Sequence, residues 1–358
     1  LLIPELDLSV SENQDPALNV LVPSFSRFRR TGGPNTIFGL TYRLAARGMR
    51  VRYIGIDGGT PKDDGSFWEH LWALTGVDNA NGGAELSDGV IGARDAFMAT
   101  WWPTAYVARR WSKKRPFIYF IQDYEPLFCK GEDVGMAKDT LDMDFRGIVN
   151  ERTVAESLPD GCTERCAIFE PAVDRRIFKP NGHTSKCLVF YARPNRKRNC
   201  YSAALAALQA VAKTGLLDGW TVYSVGYPLR PISLSPGLTM RNRAWQTYYE
   251  YSAMMRGSDV VLAPQLSPHT GYASLEAVAC GGVAVTTPFG AKTEDRLKEY
   301  SSRIIATKPG IDDMANAIEK AVRMDRRVGD DCNVAKSWDA AFAPVLPKVE
   351  RMVEECMS

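Results

Sequence analysis

No run of apolar residues in this sequence approaches the roughly 18–20 needed to cross a bilayer as a helix, which excludes a helical membrane protein. Excess charge is missing as well. The 44 Lys+Arg residues stand against 42 Asp+Glu, a formal net charge of +2. Nothing general therefore draws the chain to nucleic acid, although a local basic patch is still compatible with that balance. Metal-ligand spacing is missing too. Of the eight cysteines (129, 162, 166, 187, 200, 280, 332 and 356) only Cys162 and Cys166 lie close, with no His or Cys set beside them. Scattered thiols in a chain of this size read as free cysteines of a reducing cytoplasm rather than a disulfide framework. The first residues, Leu1-Leu2-Ile3-Pro4 and then acidic and polar positions, lack the basic-then-apolar layout of a signal peptide. They also lack Met, and a processed or excised piece of a longer chain is expected. Repeats and low-complexity segments are absent.

What is present is apolar content of 45% over 358 residues, enough for two cores. Leu18 to Val22 reads as a buried parallel strand, the stretch Thr31 to Thr36 as a glycine-containing turn, and Ile37, Leu40, Leu44 and Ala45 as the face of a helix closing at Gly48. Met49 to Ile56 supplies the next strand, completing a βαβ unit and implying a parallel sheet. Further strands are expected at 95–100, 117–122 and 147–149. The pattern breaks from Phe169 to Gly182, read as an interdomain connection. A second series follows: strands at 187–191, 221–225, 259–263 and 283–287, with helices at 201–213, 245–255, 272–280, 314–324 and 336–352. The fold class is α/β, two Rossmann-like αβα domains. The first spans 1–172 and the second 173–335, and 336–358 is a C-terminal helix for which a return to the first domain is one path.

Parallel sheets bind ligands at the carboxyl ends of their strands, and four polar segments follow predicted strands. Gly32-Gly33-Pro34-Asn35-Thr36 lets backbone approach an anion, yet matches neither the dinucleotide fingerprint nor a P-loop, so hydride transfer and kinase chemistry lose their main support. An ordinary strand–helix turn explains it equally well. Gln122-Asp123-Tyr124-Glu125-Pro126 follows the run Phe117 to Ile121. Asp123 and Glu125 could orient a sugar hydroxyl, act as a base or offset positive charge, against the plainer reading of a helix cap. Arg193-Pro194-Asn195-Arg196-Lys197-Arg198-Asn199 reads as a cationic opening to a helix. Cations there oppose the dipole, so the run asks for an anionic ligand. Ser267-Pro268-His269-Thr270-Gly271-Tyr272 leads into a helix carrying Glu276, a carboxylate that could accept two ribose hydroxyls.

These residues resemble a family. Phe120 to Pro126, Tyr191-Ala192-Arg193-Pro194, Arg198-Asn199, Ser258-Asp259-Val260, and Ser267-Pro268-His269 through Leu275-Glu276 resemble retaining family 4 glycosyltransferases of GT-B fold. Within them the likeness is to the rhamnosyltransferase branch of bacterial rhamnan and surface-layer glycan synthesis. It covers roughly residues 18 to 330. The resemblance implies two domains facing each other across a cleft, with the nucleotide in the second. Arg193 with Lys197 or Arg198 matches the diphosphate-binding pair, and Gly32 and Gly33 the N-terminal glycine loop. Glu276 matches the second Glu of the E-x7-E motif. The first Glu falls on Pro268, which leaves His269 and backbone amides in its place.

The implied activity is transfer of a sugar, with L-rhamnose from dTDP-L-rhamnose favoured, onto a saccharide or lipid-linked saccharide of a bacterial surface polysaccharide of the O-antigen kind. The implied catalytic residues are Asp123, Glu125, Arg193 and Arg198. Donor-binding residues are Gly32, Gly33, Arg193, Lys197, Arg198, Ser267, His269, Thr270, Gly271, Tyr272 and Glu276. No cofactor, metal or nucleic acid is expected, and the location is cytoplasmic, with peripheral contact to the inner membrane face as an option. UDP- or GDP-sugars are rival donors. A non-catalytic two-lobed sugar-binding protein is the rival of another class, and an epimerase of the same fold a weaker one. Asp142-Met143-Asp144 has the D-x-D form of a metal site but the wrong setting. Arg109 to Arg115, with Trp111, reads as a helix C-terminus rich in cations more readily than as a lipid-binding patch. Trp68, Trp72, Trp101, Trp102 and Trp111 either line an acceptor cleft or pack a core.

Overall fold

A computed structural model describes residues 3–26, 32–57, 66–77, 83–183, 185–243, 246–324 and 329–358. Thr31 and Trp245, each inside an expected element, lie outside the described residues. By internal contacts the chain divides into Leu1–Glu170 with Trp338–Ser358, and Pro171–Ser337.

In chain order the first unit holds β1 (Ser9–Ser11), β2 (Leu18–Val22), α1 (Gly32–Ala46), β3 (Val51–Gly55), α2 (Ser66–Thr75), β4 (Ala84–Leu86), β5 (Val90–Gly92), β6 (Ala96–Ala99), α3 (Trp102–Ser112), β7 (Phe117–Ile121), α4 (Glu132–Asp139), β8 (Phe145–Asn150), α5 (Arg152–Ala155) and β9 (Cys166–Phe169). Seven of its strands form one sheet in the order β4-β3-β2-β6-β7-β8-β9, every pair parallel. Strands β2 and β7 are buried throughout because both faces are covered, and their apolar runs need no alternation. At the amino ends of β2, β3 and β6 a polar cluster is fully buried. Arg52 donates to Asp95 at 2.8 Å and to Asn19 at 3.0 Å, and Asn19 donates to Asp95 at 2.9 Å.

The second unit holds β10 (Cys187–Tyr191), α6 (Tyr201–Lys213), β11 (Thr221–Val225), β12 (Ile232–Ser235), β13 (Leu238–Asn242), α7 (Tyr248–Gly257), β14 (Val260–Leu262), α8 (Tyr272–Ala279), β15 (Val283–Thr286), α9 (Glu294–Tyr300), β16 (Ile304–Ala306) and α10 (Ile311–Arg323). Its sheet runs β12-β13-β11-β10-β14-β15-β16, parallel except for the β12–β13 hairpin. Alternate residues of one strand serve two cores. Leu188 and Phe190 pack with Leu208 of α6 and Ile318 of α10, whereas Val189 packs with Leu275 and Val278 of α8. Helices α11 (Trp338–Phe342) and α12 (Leu346–Met357) belong to the first unit. There Phe342 meets Phe169 edge-on at 5.1 Å, and Lys348 donates to the Cys166 carbonyl at 2.6 Å.

Several expectations need correction. The expected helix 336–352 is two helices, since Pro347 fits only the first turn of a new one. Phe169 ends β9 rather than opening an irregular connection. Glycines 32 and 33 form the first turn of α1, not a turn ahead of it. The basic run does not open a helix either. It occupies the β10–α6 loop with a short 3₁₀ turn at Lys197–Asn199, and α6 begins only after Cys200, whose φ is +48°.

Candidate functional site

In each sheet the strand order reverses beside its first long strand, between β2 and β6 and between β10 and β14. Such a reversal splays the connecting loops and opens a crevice at the carboxyl edge. The candidate residues fall on these two edges.

At the second unit's edge, Arg193 leaves β10 and folds back over the ring of Tyr191, its guanidinium carbon 6.0 Å from the centroid and its Nη1 donating to the Tyr191 hydroxyl at 3.3 Å. Gly226, directly after β11, makes this fold possible. Its φ is +94°, and a Cβ there would stand 3.1 Å from Arg193 Cγ and 3.1 Å from Tyr191 Cε2. Arg193 Nε is buried and makes no hydrogen bond, nor does the buried Ser274 Oγ in the first turn of α8. Buried donors of this kind ask for an acceptor. Arg198 is half-buried and its carbonyl accepts the Leu266 amide at 2.7 Å, which ties the basic loop to the loop after β14. Lys197 is exposed, so Arg198 is the better placed of the two alternatives.

The loop after β14 is closely braced. Gln265 donates to Ser267 Oγ at 2.6 Å, and the Gly271 amide donates to His269 Nδ1 at 2.9 Å. Nδ1 is therefore an acceptor, and neutral His269 carries its proton on Nε2. Its ring centroid lies 5.0 Å from that of Tyr272. Thr270 and Ser267 are buried, and Gly271, at φ +87°, turns the chain into α8. One turn further on, Glu276 Oε2 accepts the Tyr251 hydroxyl at 2.8 Å. Burial pushes the Glu276 carboxyl up to about 7, and the Tyr251 hydrogen bond works against that rise. Tyr251 is itself held well above the usual phenol range, first by burial and then by Glu276.

Tyr251, Gly226 and Lys292, whose Nζ donates to the Gln265 and His269 carbonyls, stand beside the candidate residues and were missed by sequence reasoning. Gly226 carried a usable signal, a glycine immediately after a predicted strand. Tyr251 and Lys292 carried none, because each looks like an ordinary helix or surface residue. Ser258-Asp259-Val260 is not at this edge: Asp259 starts β14 from below, accepting the amides of Ser185 at 3.0 Å and Cys187 at 3.2 Å.

At the first unit's edge, Gln122 donates to the Gly33 carbonyl at 2.7 Å and accepts from Asn150 at 3.3 Å, so β7, β8 and α1 meet there. His70 adds a hydrogen bond to Asn35 at 2.8 Å. Asp123 is buried and accepts the Tyr124 amide at 3.0 Å. For Glu125 the geometry matches the plainer of the two readings, a helix cap. Its carboxylate accepts the Trp102 amide at 2.6 Å and caps α3, where the helix dipole favours an anion. Trp102 and Trp111 pack inward, the latter stacked on Phe97, whereas Trp72 is exposed. Arg109 and Arg110 close α3, and Arg115 donates to the carbonyls of Arg94, Asp95 and Cys356. Asp144 pairs with Arg146 at 3.3 Å. All eight cysteines are free thiols, and no helix among the described residues is long and apolar enough to cross a membrane.

With that geometry in place, comparison with known proteins points one way. The family described as WsaF, C-terminal domain, matches residues 186–319, most of the second unit. The O-antigen biosynthesis protein RfbC of Myxococcus xanthus is 33% identical over 198 residues, which are 54% of this chain and only 16% of that protein. Among solved structures, Anabaena HepE in complex with UDP and glucose superimposes with a TM-score of 0.66 at 13% identity, covering 95% of this chain and 100% of that one. Sucrose-phosphate synthase from Thermosynechococcus elongatus gives 0.60 at 13% identity, covering 95% and 99%. WaaG, a glycosyltransferase involved in lipopolysaccharide biosynthesis, gives 0.51 at 13% identity, covering 95% and 94%. These likenesses show the fold: two parallel-sheet, Rossmann-like domains of the GT-B glycosyltransferase type.

Proposed function

We propose that this chain is a glycosyltransferase that takes a sugar from a nucleotide donor and adds it to a growing bacterial surface polysaccharide. One observation carries the reading. Arg193, Arg198, the 265–271 loop, the start of α8 and Glu276 share the carboxyl edge where the second sheet reverses its order. That set suits a nucleoside diphosphate: guanidinium forks and helix amides for the phosphates, a carboxylate for the ribose. RfbC, an O-antigen biosynthesis protein, supports the choice of pathway.

The mechanism proposed is retaining and uses no protein nucleophile. The bond from the sugar's anomeric carbon to the diphosphate oxygen breaks as the acceptor hydroxyl bonds to that carbon from the same face, its proton passing to the departing phosphate, whose charge Arg193 and Arg198 stabilise as the dominant electrostatic contribution. Asp123 of the first domain is assigned to acceptor positioning; Glu125, occupied as a helix cap, is not. dTDP-L-rhamnose is the donor favoured by the sequence resemblance. HepE, solved with UDP and glucose, favours a UDP-sugar as the second reading. Calorimetric titration with dTDP, UDP and GDP separates them, and Glu276→Ala should abolish binding of the preferred one. No binding of any nucleotide would refute the transferase reading. Full transfer activity in Asp123→Ala would remove Asp123 from the site.

A further inference from the structure

We propose that Lys292 is a positioning residue of the donor site, one that holds the 265–271 loop in its phosphate-binding form from behind. The inference rests on the donor-site reading above and adds to it a residue outside the resemblance. Lys292 is fully buried, an unusual fate for a lysine. Its Nζ donates to the Gln265 carbonyl at 2.7 Å and to the His269 carbonyl at 3.2 Å. The turn after β15 delivers it: Phe289 and Lys292 exchange backbone hydrogen bonds of 2.9 and 3.0 Å, closing a four-residue loop that projects the side chain sideways.

A trans peptide points its C=O and N–H in opposite directions. With the His269 carbonyl drawn onto the ammonium, the Thr270 amide faces away from Lys292. The Leu266 amide, opposite the Gln265 carbonyl, is taken by Arg198. One cation therefore sets the orientation of two peptides, one anchoring the arginine loop and one at the entrance to α8. A buried ammonium is costly to place and is retained where its charge or its geometry is used. Here it uses both: it orders the loop and puts a fixed positive charge behind the place assigned to the diphosphate.

The test compares Lys292→Met, which removes charge and donors, with Lys292→Gln, which keeps N–H donors without charge. Binding of UDP and dTDP is measured by calorimetry, and binding of uridine and thymidine by competition, on the full chain below its melting temperature. Hydrogen bonds from a charged donor are among the stronger ones, and Lys292→Met removes two of them, so diphosphate binding should weaken about tenfold or more. Nucleoside binding should stay within about twofold of wild type, with Lys292→Gln between the two for the diphosphates. Equal losses for nucleoside and diphosphate would mean a merely structural role and overturn the proposal. So would unchanged binding in both variants. If Lys292→Met does not fold, the Gln variant decides alone by the same ratio. A wild-type protein that binds no nucleotide would overturn the donor reading and this inference together, whereas wild-type binding with unaltered variants overturns the Lys292 role alone.

Discussion

A carboxylate half-sunk in an apolar helix face holds its proton longer than one in water, and Glu276 does so up to about pH 7. The free chain gives up that proton near the ordinary value of 4.5. Between those values the folded state binds more protons than the unfolded state, so this group's contribution to stability is complete below 4.5 and lost as pH rises through 7. Glu276→Gln should therefore melt higher than wild type at about pH 8, by about 2 kcal/mol once the residue's partial exposure is discounted, and equally at about pH 4. The charged form is the better acceptor for a pentose hydroxyl, so nucleotide binding should tighten from about pH 6 to about pH 8. Tyr251→Phe removes the one hydrogen bond that favours the charged form and should move that profile to higher pH. At Gly226, a methyl group meets Arg193 and Tyr191 on a backbone of φ +94°. Gly226→Ala should weaken diphosphate binding more than nucleoside binding, because the arginine is displaced first. Calorimetry with UDP and uridine reads the difference.

At the scale of elements, the amino edge of the first sheet is built for stability, while its carboxyl edge carries the residue proposed for acceptor positioning. The Arg52–Asp95 pair at the amino ends is buried with every partner in place, and Asp95 also accepts the amides of Ala17 and Gly92 at 2.9 Å each. Without the Asp95 charge, Arg52 is left with Glu85 at 3.0 Å, a carboxylate one third exposed. Asp95→Asn should cost about 3 kcal/mol in denaturant unfolding and leave nucleotide affinity unchanged. Little of this cluster was legible in the sequence, because Asn19, Arg52 and Asp95 are far apart along the chain and strand patterns alone do not pair them. Strands with apolar runs were legible: residues 18–22, 187–191 and 221–225 match β2, β10 and β11 residue for residue. Burial on both faces makes the first two runs self-announcing, whereas β11, with Thr221 exposed, shows itself by its β-branched residues. The β12–β13 hairpin went unread despite Pro236-Gly237, since its strands are short and half-exposed. For Glu125 a helix cap was legible as the plainer reading, but not which helix, because α3 begins 23 residues earlier in the chain.

For the whole molecule, the second unit is one unbroken stretch of chain, whereas the first is assembled from two. Residues 171–337 expressed alone should fold and bind the preferred nucleotide within a few-fold of the full chain, as Arg193, Arg198, Glu276 and Lys292 all lie within it, although the expected donor residues Gly32 and Gly33 do not; a folded fragment that binds no nucleotide would overturn that expectation. The first unit depends on its distant segment. Arg43 donates to Asp339 at 2.6 Å and Arg146 to Glu355 at 2.9 Å, while Trp338 and Phe342 are buried. At translation rates of about 5–20 residues per second, the residues between Glu170 and Trp338 occupy the ribosome for roughly 10–30 s. During that interval the sheet of the first unit has no α11 or α12 to cover it, and the apolar surface they will bury must wait in water or in the care of a chaperone. The order of assembly is thus the reverse of the order of synthesis: the domain made second is the first that can be finished.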